Sequence, residues 1–255
     1  MTRIWEHDLW QILPSALHAR LAAIDEDEPD TSPPQQPALR DNVAVIPMKG
    51  ILLNNADADL ERAGFLNPVR IAQEIRVAAF SGTPIVLDVD SPGGTATGTP
   101  ELASAVSQAS ELVPVVSFTN NFRASAAEFV SAPATQVTAT PSAIVGSIGT
   151  VLTLVDISKM LERGGITVRQ FTGGKFKGAG SPFVTLTKEQ QANIQERVDM
   201  ITDQFRAHMM EFREELAVED MEGQIFTGLQ GAEIGLVDEV LETIADAVEL
   251  AKQLT

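Results

Sequence analysis

The sequence contains no cysteine and no tyrosine, and only three histidines and six lysines. Without cysteine there is no disulfide framework, no thiolate zinc site and no cysteine nucleophile. The histidines are His7, His18 and His208. Two of them precede an acidic, proline-containing stretch and the third lies inside a long helical pattern, so none neighbours a glycine-rich turn in sequence. A serine–histidine–carboxylate triad therefore has little to draw on. G-x-S-x-G and H-E-x-x-H are both absent. Basic residues are scarce as well: 18 Lys+Arg stand against 35 Asp+Glu, for a formal net charge of −17. Phosphate neutralisation and docking on anionic lipid need the opposite surplus, so neither nucleic acid nor membrane is an expected partner. No apolar run reaches the roughly 18 residues of a membrane-spanning helix, and the first residues do not read as a secretory leader.

What is present points to a globular chain of 255 residues, 44% hydrophobic, with ample length to bury a core. Trp5, Leu9, Ile12, Leu13, Leu17 and Leu21 recur at helical spacing and predict an amphipathic helix within residues 1–24. Residues 25–39, with the charge run Asp25 to Asp30 and then Pro33, Pro34 and Pro37, read as a linker. The main domain is expected over 40–255. Strand-like runs occur at 43–48, 85–89, 113–117, 136–139, 148–155 and 166–171, with helical patterns at 68–80 and 99–112 between them. Alternation of short apolar strands with helices indicates an α/β domain with a largely parallel sheet. Residues 187–217 form one long amphipathic pattern, and Thr187 with Gln190 resembles a capping box. The apolar stripe of that helix suits core or subunit interface. A strand–helix unit closes the chain, ending in a helix at 242–253.

Four small-residue stretches could carry chemistry. Asp90-Ser-Pro-Gly-Gly94 sits where a strand turns into a helix, so its glycines form either an ordinary tight turn or an exposed-amide anion site. Ser125, in Arg123-Ala-Ser-Ala-Ala-Glu-Phe129, stands at a helix start. There it is either a cap or a nucleophile aided by free amides and the helix dipole. Ser147 is flanked by glycines in Val145-Gly-Ser-Ile-Gly-Thr150, which turn chemistry accounts for adequately. Lys175 and Lys177 lie in a glycine-rich loop, 173–182, that reads as a mobile surface loop or as a device for positioning a lysine. With histidine and cysteine so poorly supplied, a serine nucleophile with a lysine base stays open. A lysine needs burial to act as base, because its pKa in water is about 10.4 and burial lowers it by up to roughly 3–5 units.

Taken in order, these stretches resemble the S49 peptidase family, the signal peptide peptidase A type of the ClpP/crotonase fold. The residues that carry the resemblance are Val86 to Gly94, Ala124 to Ala132, Gly146 to Gly149, Gly174 to Phe183 and Phe226 to Glu239. Together they run through most of the chain. The resemblance implies a ClpP/crotonase-like superhelix of strand-strand-helix units with a long C-terminal helix. It implies Ser125 as nucleophile, Lys177 as general base with Lys175 as competitor, Ser147 as the serine that orients the lysine, and the amides of Gly94 and Ala126 as oxyanion hole. No cofactor and no metal are implied. Where the family often has Gly-Gly and an aromatic residue after the nucleophile, this chain has Ala126, Ala127 and Glu128. Glu128, with the run Asn120-Asn-Phe-Arg123, is therefore placed among residues that shape the substrate pocket. The absence of a membrane-spanning segment makes the chain resemble the soluble prohead proteases of tailed phages. Their substrates would be scaffold, portal or capsid proteins or the protease itself, and they would work as a homo-oligomeric ring in the host cytoplasm or the prohead. A cytoplasmic peptide-degrading S49 peptidase is the alternative within the class. A crotonase-like acyl-CoA enzyme and a non-catalytic shell component are the alternatives outside it.

Overall fold

The computed structural model describes residues 36–255 and the backbone of Trp10–Ile12. Among the described residues the strands are β1 (Trp10–Ile12), β2 (Ala38–Arg40), β3 (Val43–Lys49), β4 (Ile51–Leu52), β5 (Phe65–Leu66), β6 (Ile85–Ser91), β7 (Gly93–Thr95), β8 (Val115–Ala124), β9 (Gln136–Ala139), β10 (Ile144–Gly146), β11 (Ile225–Thr227) and β12 (Glu239–Val240). The helices are α1 (Ala58–Arg62), α2 (Pro68–Phe80), α3 (Thr99–Ser110), α4 (Ala126–Ser131), α5 (Ser158–Arg163), α6 (Lys188–Phe212), α7 (Gly228–Glu233) and α8 (Ile244–Gln253).

Side chains alternate across a strand, and here both faces of the main sheet are apolar. On β3 and β6, Ile46, Met48, Ile85 and Leu87 face one way and meet Ile71 and Ile75 of α2 and Leu102 and Val106 of α3. Val43, Val45 and Val86 face the other way and, with Val116 and Phe118 of β8, cover Ala247, Val248 and Ala251 of α8. Each fully buried aliphatic side chain of this kind contributes about 1.5–3 kcal/mol. The sheet runs β11-β10-β8-β6-β3-β2. The β3/β6, β6/β8 and β8/β10 pairs are parallel, and β2/β3 and β10/β11 are antiparallel. Strand β8 is long enough to serve two neighbours on one side. Its first half pairs with β9 and its last residues pair with β10, Ala124 lying opposite Gly146. A smaller sheet, β1-β7-β4-β5, continues from the end of β6.

The helix starts follow the sequence. Asn67 accepts from the Val69 and Arg70 N–H groups ahead of Pro68, and Thr187 and Gln190 form the expected capping box on α6. Four expectations are corrected. Trp10–Ile12, inside the segment read as an N-terminal helix, is a strand that pairs antiparallel with β7, since an open sheet edge satisfies backbone groups that local periodicity does not register. The rest of 1–24 lies outside the described residues. Ala38–Arg40, at the end of the expected linker, is the edge strand β2. Among the described residues the strands expected at 148–155 and 166–171 do not form: β10 ends at Gly146, and within these segments only Val151 makes an isolated bridge, too little for the ladder that satisfies a strand's backbone groups. Strand β8 continues past 117 to Ala124.

Between Ile148 and Phe205 no residue is buried. This long arm holds the glycine-rich loop, and it leaves large apolar groups in solvent, with Phe171 89% and Val155 65% exposed. No helix among the described residues is long and apolar enough to cross a membrane.

Candidate active site

Ser125 joins the end of β8 to the start of α4. Its backbone sits at φ 56° and ψ −118°, and it is 1% exposed. The cap explanation fails there, because the Ser125 side chain makes no capping hydrogen bond. A non-glycine residue at positive φ costs about 1–3 kcal/mol and persists only where its surroundings hold it. Ser147 has the same φ, 56°, and follows Gly146 at φ 103°. The two serines are the residues next after the aligned pair Ala124 and Gly146, so two parallel strands each end in a strained serine. The backbone ties Ser125 to the residue before Ser147, and Ser147 to the segment before β11. The Ser125 N–H donates to the Gly146 carbonyl at 2.7 Å, and the Ser147 N–H donates to the Gln224 carbonyl at 2.6 Å. Both serines line one cavity of about 370 Å³, roofed by Gln195, Val198, Asp199 and Thr202 of α6 and closed by Ile148 to Val151 and by Met221 to Gly223.

Ala126 is the first residue of α4, where helix N–H groups have no intrahelical acceptor. Gly94 lies in β7, a strand that packs against α4. A Cβ on Gly94 would fall 1.9 Å from the Leu52 carbonyl oxygen, so only glycine fits. A second cavity, about 550 Å³, is bounded by Ala96 to Gly98 just after β7, by Phe129 one turn beyond Ser125, and by Leu102, Arg76, Glu101 and Ile201.

Lys177 is placed elsewhere. It sits on the exposed arm, its backbone N–H held by the Gly174 carbonyl at 3.2 Å, and among the described residues it does not line the cavity of the serines. Lys175 pairs with Glu189 and lies 4.8 Å from the Phe176 ring centroid. Within one chain, then, the structure brings Ser125 and Ser147 together and leaves both lysines apart from them.

Arg123 and Glu128, expected to shape a substrate pocket, are instead wholly buried, at 0% and 1% exposed. The reason is a mutual ion pair: Arg123 Nε donates to Glu128 Oε2 at 3.1 Å. Arg123 Nη1 also donates to the Thr138 carbonyl at 2.7 Å, and Glu128 Oε1 accepts from the Gly146 N–H at 3.1 Å. Burial pushes the Glu128 carboxyl up, opposed by Arg123, and pulls the Arg123 guanidinium down, opposed by Glu128. The sequence signal for this pair was a charge of each sign within five residues at a helix start, a pattern that surface helices also show.

His208 does not serve the serines. Its Nε2 donates to the Phe129 carbonyl at 2.8 Å and its ring stacks on Phe129 at 3.7 Å between centroids. Burial holds its imidazole below the ordinary value, with the Phe129 carbonyl opposing. His7 and His18 lie outside the described residues.

The profile of peptidase family S49 matches residues 107–255, a span that holds Ser125, Ser147 and Lys177. The chain belongs to peptidase family S49. Its parallel-rich sheet and 25-residue helix α6 are consistent with the ClpP-like fold expected of this family. A protein of Methanocaldococcus jannaschii named as a protease, MJ0651, is 34% identical over 173 residues, covering 67% of this chain and 55% of its own. The capsid assembly protease C of Escherichia phage lambda is 26% identical over 233 residues, covering 89% of this chain and 52% of its own. A protein of Enterococcus faecium named as a signal peptide peptidase SppA is 27% identical over 233 residues, covering 87% and 67%. The chain thus spans about half the length of the first two relatives.

Proposed function

We propose that this S49 member is a serine endopeptidase with Ser125 as nucleophile and Lys177 as general base. The observation that carries the reading is the pair of positive-φ serines, tied by the Ser125 N–H to the Gly146 carbonyl, with a Ser125 hydroxyl that does no capping. In the reaction, a neutral Lys177 amine takes the Ser125 Oγ proton as Oγ attacks the scissile carbonyl, and Ser147 holds the amine in line. The developing oxyanion meets the amides of Gly94 and Ala126, an interaction worth about 3–4 kcal/mol per donor in such sites. The lysine then gives its proton to the leaving amine, and a water activated by the same amine hydrolyses the acyl-enzyme.

This chemistry requires a desolvated lysine. Lys177 rides on an arm with no buried residue and with Phe171 and Val155 in solvent. We therefore place the lysine that serves each Ser125 on a neighbouring copy in a homo-oligomer, whose contacts would bury the arm. The substrates proposed are scaffold, portal or capsid proteins or the chain itself, a reading supported by the phage lambda relative. The E. faecium relative favours the second reading, degradation of peptides. A crotonase-like enzyme would bind CoA and have no use for Ser125.

The test is labelling with a fluorophosphonate and co-expression with candidate capsid proteins, followed by mass spectrometry of the products. Ser125→Ala and Lys177→Ala should each abolish labelling and cleavage. Unchanged processing by either variant overturns the mechanism. Cleavage of small peptides without any cut in capsid proteins overturns the maturation role and leaves the second reading.

A further inference from the structure

We propose that Arg123 and Glu128 are positioning residues of this site, a buried clasp that holds Ser147 in register with Ser125. The inference rests on the reading of Ser125 as nucleophile. Ser125 and Ser147 belong to different strands, and both stand at φ 56°, a conformation that must be imposed by neighbours. The peptide groups on either side of Gly146 are where the two strands are locked. The Gly146 carbonyl accepts from the Ser125 N–H at 2.7 Å, and the Gly146 N–H donates to Glu128 Oε1 at 3.1 Å. Glu128 stands three residues after Ser125 on α4, so one carboxylate connects the helix headed by Ser125 to the residue that precedes Ser147. Its second oxygen is taken by Arg123 Nε, and Arg123 is fixed in turn by the Thr138 carbonyl of β9. The chain β9–Arg123–Glu128–Gly146 therefore links the elements that meet at the two serines.

Stability alone does not explain such a pair. Two charges removed from water at this depth often contribute no more than apolar residues of the same volume. This pair is also imperfect for that purpose, because Arg123 Nη2 is buried without a partner. Position does explain it. A proton relay needs heavy atoms within about 2.6–3.2 Å, and a displacement of about 1 Å can cost 10²-fold in rate. Release of the Gly146 N–H would free Ser147, and with it the lysine that Ser147 orients, while leaving the binding surfaces untouched.

The test compares Arg123→Met/Glu128→Met, which removes the charges and the acceptor for the Gly146 N–H, with Arg123→Met/Glu128→Gln, which removes the charges and keeps an amide oxygen. Fluorophosphonate labelling of Ser125 in the full chain, resolved into inactivation rate and inhibitor affinity, is read beside the melting temperature. The Met/Met protein should melt near the wild type and lose about 10- to 100-fold in inactivation rate with affinity unchanged. The Met/Gln protein should recover most of that rate. A folded Met/Met protein that labels like the wild type overturns the proposal. So does a folded Met/Gln protein no faster than Met/Met, or a loss confined to affinity. Unfolding of both double variants would assign the pair to stability and overturn it too. A wild type that does not label at Ser125 defeats the nucleophile reading itself, and the clasp with it.

Discussion

Replacing Ser125 by glycine should make the protein more stable and inactive. At φ 56° and ψ −118° a serine pays about 1–3 kcal/mol that glycine does not. Glycine gives some of this back, because the unfolded chain gains about 0.5–1 kcal/mol of conformational freedom. The balance is a net stabilisation of about 1 kcal/mol. In a chain of this size that raises the melting temperature by about 2–4 °C. The control is Ser125→Ala, which also removes the hydroxyl but keeps the Cβ that makes the conformation costly. The hydroxyl caps nothing, so its loss is common to both variants and cancels in the difference between them. Differential scanning calorimetry of the wild type, Ser125→Ala and Ser125→Gly measures that difference directly, and fluorophosphonate labelling verifies that both variants are dead. If Ser125→Gly melts at or below Ser125→Ala, the turn is not strained in the way its dihedral angles indicate, and the argument from strain to function falls.

Other perturbations test other parts of the site. Mixing Ser125→Ala with Lys177→Ala before assembly should restore peptide hydrolysis to roughly one quarter of the wild type, because random pairing around a ring of heterologous interfaces leaves that share of sites with both groups intact; no recovery would place each lysine in its own chain's site. Gly94→Ala should cost more than the about 1–3 kcal/mol usual for overpacking, because its Cβ meets backbone, the Leu52 carbonyl, at 1.9 Å; the β4/β7 pairing must open, and a thermal melt would show it as a large drop. His208 makes stability depend on pH in a fixed direction. Its imidazole is held down by burial, so below about pH 6.5 the unfolded chain takes up the proton before the folded one does. The stability it contributes is complete above that pH and is lost as pH falls through the lower folded value. Melting temperatures of the wild type against His208→Gln between pH 7 and 5 should show a shallower slope in the variant.

The fold was legible wherever local pattern and burial agree. Val43 to Met48 is apolar at every position, and Ile85 to Val89 at every position but Asp88, because both faces of their strands are covered, and those runs are visible without a structure. The helices at 68–80 and 99–112 could be read because an apolar face repeats along each. Periodicity misleads at 148–155 and 166–171, where β-branched residues occur in a stretch that, from residue 149 on, contains no buried residue among those described. Propensity there reports a fit to a surface, and the described residues do not supply that surface.

The same physics governs what could be read of the site. Ser125 and Ser147 are visible as serines in small-residue turns, yet their shared backbone angle and the hydrogen bond from Ser125 to Gly146 come from the parallel register of Ala124 and Gly146, which no local motif encodes. Lys177 was visible for the opposite reason, as one of two lysines within a single glycine-rich loop. It stands on an arm without buried residues and does not line the cavity of the serines. The buried pair of Arg123 and Glu128 is the least legible, because charges beside Ser125 read in sequence as groups lining an open pocket. Only the meeting of β8, β9, β10 and α4 turns these two charges inward, and that meeting is long-range. Strain and long-range register thus converge on the two serines. Local rules fail there because the neighbours, and not the residues themselves, set the geometry.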